Sequence, residues 1–307
     1  MFTDVIQVID PRFRRYVLPN TYMDTLYTDA RWSEGPAYFP AGKYLLWSDI
    51  PNNRLLRYDE TDDSVSVFQK PSGFHNGHTV DSEGRLVSCE HQARQISRIE
   101  LDGSTTVLAN SYQGKRLNSP NDIVVKSDGT IWFTDPTYGI DSHYEGDKSE
   151  PEIEGSYVYR LDPANCRLDA VATDFEKPNG LAFSPDESRL YIADTGISHR
   201  DDGPAHIRVL DVADDNSLSN DRVFATCTNG VFDGFRLDEH GNIWSSAADG
   251  VHCITPEGEL IGKLLCDSVV ANVEFGGIKR NRLYICATRC LRAIYVNVQG
   301  ARRPNAR

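Results

Sequence analysis

Residues 117–136 read LNSPNDIVVKSDGTIWFTDP. A tight turn, Pro120-Asn121-Asp122, opens onto the short apolar run Ile123 to Val125. Asp128-Gly129 then supplies a hairpin turn, and Ile131 to Thr134 returns as a strand of β-branched and aromatic residues. The same sentence recurs from Lys177 as KPNGLAFSPDESRLYIADTG, and from Phe232 as FDGFRLDEHGNIWSSAADG. One supersecondary unit written three times is the mark of a repeat architecture.

On either side of this unit the chain divides into further segments of the same kind. They open near Gly35, His75, Asn121, Asn179, Asp233 and Asn272, and each spells short strands over ~40 residues, the length of a propeller blade. The last segment holds only three strands: VEFGG, RLYICA and CLRAIYVN. Met23 to Thr28, MDTLYT, resembles the outer strands SVSVFQ, TTVLAN and DRVFAT, and would supply the missing one. Closing the ring in this way protects an otherwise open sheet edge. The expectation is an all-β, six-bladed β-propeller with four antiparallel strands per blade and an N-terminal strand closing the last. It is read as one domain over residues 1–307, with an N-terminal arm over 1–22 and a C-terminal tail over 299–307.

A formal charge of −13 argues against nucleic acid or an anionic membrane as a partner. No apolar run reaches the length of a membrane span, and the N-terminus has no basic start followed by an apolar block. The seven cysteines are odd in number and include no CxxC pair, which reads as reduced, mostly buried thiols in a cytoplasmic protein. Oligomeric state is not legible.

In a propeller the innermost strands line a central channel, so the residues at their starts converge on one spot. Those positions hold Glu34, Asn76, Asn121, Asn179, Asp233 and Asn272. Two carboxylates with neutral amides form an oxygen-only donor set, which suits a hard cation such as Ca²⁺ or Mg²⁺. The longest insertions, from Tyr138 to Gly155 and from Thr195 to Ala205, both follow a second strand and should lie over that same mouth. His75 and His78 bracket the blade-two turn, where one of them could reach the channel, although each taken alone reads more readily as a structural strand or surface histidine. Trp47, Trp132 and Trp244 recur in second strands and are read as packing between blades. No GxSxG, Walker, HExxH or GxGxxG motif is present.

The succession SEGP, NSPNDIVVKSDGTIWFTDPTYG, KPNGLAFSPDESRLYIADTG and FDGF resembles the gluconolactonase/regucalcin family, which includes senescence marker protein and the luciferin-regenerating enzyme. The resemblance runs from about residue 24 to 298. It implies a divalent cation held by Glu34, Asn121, Asn179 and Asp233, calcium first, with magnesium, zinc or manganese as alternatives. It also implies hydrolysis of a sugar lactone to its aldonic acid, with Asp233 as the base toward the attacking water. Asn76, His78 and Tyr138 are the candidates for holding substrate hydroxyls. Two departures stand out: Ser119 occupies the place of an arginine in regucalcin-type members, and Phe232 precedes Asp233-Gly234 where a proline is usual. A phosphotriesterase on the same scaffold, and a non-catalytic metal-binding propeller with protein partners, are the rival readings.

Overall fold

The computed structural model describes residues 3–302. It is almost wholly β, and its sheets are six antiparallel blades around a central channel. Blade one comprises Ser33–Phe39, Tyr44–Asp49, Arg54–Asp59 and Ser64–Gln69, and blade two His75–Val80, Leu86–Glu90, Gln95–Ile99 and Thr105–Ala109. Blade three runs Ile123–Val125, Ile131–Asp135, Ser156–Asp162 and Arg167–Phe175, and blade four Pro178–Phe183, Arg189–Asp194, His206–Val212 and Leu218–Thr226. Blade five holds Phe235–Leu237, Ile243–Ala247, Gly250–Ile254 and Leu260–Leu265, and blade six Val270–Gly276, Arg282–Ala287 and Cys290–Tyr295. Asp24–Tyr27 pairs antiparallel with Cys290–Tyr295 and completes blade six. Among the described residues no helix is long and apolar enough to cross a membrane.

The core lies between blades. Trp132 of blade three packs with Leu181, Leu190 and Ile192 of blade four, edge-on to Phe183 at 5.3 Å. Trp47 of blade one sits among Tyr284 and Leu291 of blade six, and Trp244 of blade five against Phe275 of blade six. All three tryptophans are fully buried, as the recurrence of aromatics in second strands leads one to expect. The thiols depart from expectation. Only Cys89, Cys253 and Cys286 are buried; Cys227, Cys266 and Cys290 are half-buried and Cys166 is exposed, so "mostly buried" is corrected. All seven are free.

The N-terminal arm has more structure than its lack of periodicity suggests. Ile6–Val8 pairs with Leu260–Leu265 as a fifth strand on blade five. A 3-10 turn over Pro11–Arg15, capped by Asp10 accepting from the Arg12 N–H at 2.8 Å, then drops Phe13 into the core. Gly262 makes room for that ring, since a Cβ there would lie 2.0 Å from Phe13 Cδ1. Phe13 is 0% exposed and stands 5.9 Å from Trp244. Phe13→Ala is therefore expected to cost about 3–5 kcal/mol, the usual cost of emptying a buried phenylalanine site. Urea unfolding is the measurement; a loss below 1 kcal/mol would make the arm an accessory rather than a wedge between blades five and six.

Candidate functional site

In blades one, three and four the innermost strand is introduced by a loop that the end of the neighbouring second strand holds in place. Asp49 accepts from the Arg31 N–H at 2.9 Å, and Asp135 from the Asn118 N–H at 2.8 Å. Asp194 accepts from the N–H groups of Glu176 and Lys177 at 3.0 and 2.9 Å. The aspartate closing WSD, FTD and IAD thus anchors the turn that carries the site residue of its own blade.

Adjacent blades then touch through backbone. The Gly77 N–H donates to the Asn121 carbonyl at 2.7 Å, Gly180 to Asp233 at 3.1 Å, and Gly234 to Ala271 at 2.7 Å. A Cβ at Gly35, Gly77, Gly180 or Gly234 would stand 1.9–2.4 Å from the next blade. Glycine is required there by close approach, which explains why Glu34, Asn76, Asn179 and Asp233 are each followed by one. Blades three and six break the rule, with Asp122 and Val273 in that place, and the Asp122 carboxylate reaches to 3.7 Å from Arg236 of blade five.

These contacts gather Glu34, Asn76, Asn121, Asn179 and Asp233 around a cavity of ≈ 180 Å³ at one mouth of the channel. Trp32, Tyr138 and Glu145 also line it. Asn272, the sixth aligned position, stands behind: its amide donates to Glu34 Oε2 at 2.9 Å. Glu34 Oε2 also accepts from the Gly35 N–H. Burial raises the pKa of Glu34, reinforced by the charge of Asp122. Burial raises Asp233 likewise, with the charges of Glu34, Asp122 and Glu145 adding to it, while the Asn179 amide pulls the other way.

The structure does not bring His78 to this cavity. It is fully buried beneath the blade-one turn, with Nδ1 donating to the Gly35 carbonyl at 2.8 Å and Nε2 3.4 Å from His75 Nδ1. Burial, then the neighbouring His75, lowers its pKa to about 3, so it is a neutral strut. Tyr138 does line the cavity, but its hydroxyl is engaged with Thr195 Oγ1 at 2.6 Å and Ser198 Oγ at 2.8 Å. It ties the two long insertions together, as does His199 Nε2 with Asp141 at 2.9 Å. Both insertions therefore roof one mouth, as expected from their place after second strands.

Beneath the cavity lies a group that sequence reading missed. Arg236 Nε donates to Glu274 Oε2 at 2.9 Å, and its Nη1 stands 3.7 Å from Asp122 Oδ2. Asp122 and Glu274 are buried. The only sign of this in the sequence is a charged residue inside otherwise apolar innermost strands, FRL and VEFG.

The donor set is oxygen-only. Among the described residues no three His, Cys, Asp or Glu side chains group as metal ligands would, so a cation here would rest on two carboxylates and neutral amides. Burial and the neighbouring charge of Asp122 raise both Glu34 and Asp233, which makes this a place where a positive charge is welcome.

The family profile described as the SMP-30/gluconolactonase/LRE-like region matches residues 32–289. The gluconolactonase of Zymomonas mobilis is 33% identical over 280 residues, covering 84% of this chain and 76% of that protein. The 6-deoxy-6-sulfogluconolactonase of Pseudomonas putida is 28% identical, covering 88% and 93%. The solved structure of a gluconolactonase from Xanthomonas campestris superposes with a TM-score of 0.89 at 37% identity, covering 95% of this chain and 94% of that one.

Proposed function

The chain belongs to the SMP-30/gluconolactonase/LRE-like family, and on that premise we propose that it is a hydrolase that opens a sugar lactone to its aldonic acid. The observation that carries this reading is the convergence of Glu34, Asn121, Asn179 and Asp233, from four blades, on one cavity. Those four would hold a divalent cation, with calcium the first choice on an all-oxygen set. Bound there, the cation would supply Lewis-acid polarisation of the lactone carbonyl oxygen and balance the two carboxylates.

The chain's own residues do the rest. Asn121 and Asn179 present neutral amide oxygens and cannot act as bases. Asp233 can: its carboxylate lines the cavity beside Asn179, which places it to take a proton from the attacking water. Water adds to the carbonyl carbon, the ring C–O bond breaks, and Asp233 returns the proton to the departing ring oxygen. Trp32, Tyr138 and the two insertions narrow the mouth and limit bulk water around the carbonyl.

A pH-indicator panel of aldonolactones, run beside a fluorophosphate, tests the reading. Lactone turnover above the spontaneous rate is expected. Turnover of the phosphotriester alone favours the other hydrolase, and turnover of neither makes the propeller a binding protein.

Cation binding should also stabilise the fold, because its ligands come from four blades. A ligand that binds only the native state adds about 2.7 kcal/mol at a hundredfold excess over Kd. Melting curves in chelator and in millimolar Ca²⁺ are therefore expected to separate by several degrees. Superimposable curves, with no metal found by elemental analysis, would remove the cation from the account.

A further inference from the structure

Two hydrogen-bond acceptors at the cavity have no protein donor. Asn76 is 4% exposed, and its Oδ1 is buried without a partner. Glu145, from the acidic insertion, lines the same cavity, and among the described residues nothing donates to its carboxylate. His91, just past the second strand of blade two, holds the Asn76 side chain and the backbone of Glu145. Its Nδ1 lies 2.8 Å from the Glu145 carbonyl and its Nε2 3.3 Å from Asn76 Nδ2.

The chemistry of that bridge assigns every proton. A carbonyl oxygen only accepts, so Nδ1 carries the hydrogen. Burial lowers the pKa of His91 to about 4, so the ring is neutral and Nε2 is a bare acceptor. Asn76 must therefore turn its NH₂ toward His91, which leaves Oδ1 on the side away from the ring. The insertion that carries Glu145 is seated with equal care. A Cβ on Gly139 would lie 2.4 Å from the His91 ring, and one on Gly146 would lie 2.1 Å from the Gly139 carbonyl. Gln92 Nε2 donates to Asp147 at 3.0 Å and holds the far side of the same loop.

A cavity wall that presents a buried amide oxygen, Asn76 Oδ1, and a half-buried carboxylate, Glu145, calls for a ligand rich in donors. We propose that Glu145 and Asn76 accept hydrogen bonds from substrate hydroxyls, that Glu145 sets the preference for a polyhydroxylated over a plain lactone, and that His91 is the positioning residue for both. The inference rests on the lactonase reading above. Asn76 Oδ1, buried and left unmatched by a ligand lacking a donor, penalises that ligand, so the preference is enforced from both sides.

The test compares D-glucono-1,5-lactone with δ-valerolactone, which has the ring but no hydroxyls. For Glu145→Gln, kcat/KM on the gluconolactone is expected to fall about 10- to 100-fold, mostly through KM, the scale of one charged hydrogen bond. The same variant should lose less than about 3-fold on δ-valerolactone. Glu145→Asp, which withdraws the carboxylate by one methylene, should show the same bias. His91→Phe, which can neither donate to Glu145 nor accept from Asn76, should shift the ratio in the same direction. His91→Gln, with a donor and an acceptor in one side chain, should recover most of it. Equal losses on both lactones, or an unaltered ratio in Glu145→Gln with the wild type active, overturn this inference alone. A wild type that hydrolyses neither lactone overturns the lactonase reading and this inference with it.

Discussion

Asp233→Asn is expected to lower kcat on a responsive lactone by about 10²-fold or more, the usual scale for a lost general base. The substitution keeps the side chain's size and one oxygen toward the cavity. It removes the only group among the four proposed ligands, apart from Glu34, that can take a proton. Glu34 is less suited to the task. Its Oε2 already accepts from Asn272 and from the Gly35 N–H. Some cation affinity should survive, because Glu34, Asn121 and Asn179 remain. The contrast is Asn179→Asp, which adds charge without removing the base and should change affinity more than kcat. Turnover and metal content are to be read on the same sample. Near-native kcat in Asp233→Asn at full occupancy would move the base elsewhere. His78 would then be a poor successor, because it is sealed under Gly35.

Arg236→Met should destabilise the fold by about 3–5 kcal/mol, the cost of leaving buried charges without their partner. Arg236 is the basic side chain between Asp122 and Glu274, and the guanidinium is the strongest influence holding the Asp122 pKa down against burial. With it gone, two carboxylates share a low-dielectric channel below Glu34 and Asp233. Adding Glu274→Gln to Arg236→Met removes one of the two buried carboxylates and should recover at least about 1 kcal/mol, because the two sites are in direct contact. Denaturant unfolding of the single and double variants gives the coupling. A loss in Arg236→Met below 1 kcal/mol would mean that the channel charges are screened by water rather than by this arginine.

Blade repetition was legible because the units share a punctuation: a polar residue, in four of them followed by glycine, before the innermost strand, a turn after it, and in three of them an aspartate closing the second strand. The closing strand Asp24–Tyr27 was legible for a different reason, the strand that blade six lacks. Ile6–Val8 was not, since three residues show no alternation, and their place depends on a free edge at Leu260–Leu265 that only the folded blade presents. At the site, the residues at strand starts were legible because closure of the ring brings equivalent positions together. Side-chain direction was not. His78 stands two residues from Asn76 and turns under the floor, whereas His91 is fifteen positions along and becomes its partner. Glu145 was hidden in an acidic stretch that looks solvated in sequence, and its position depends on Gly139 and Gly146 packing against His91 and each other. The Arg236 group was hidden because blade three meets blades five and six only across a closed channel.

The most direct measurement is the initial rate of D-glucono-1,5-lactone hydrolysis on one preparation as isolated, after exhaustive chelation, and after divalent cation is restored. Hydrolysis well above the spontaneous rate, lost on chelation and regained with Ca²⁺ or Mg²⁺, is what a site built from Glu34, Asn121, Asn179 and Asp233 predicts. A chelated sample, shown free of metal by elemental analysis, that still turns over at the original rate would contradict it.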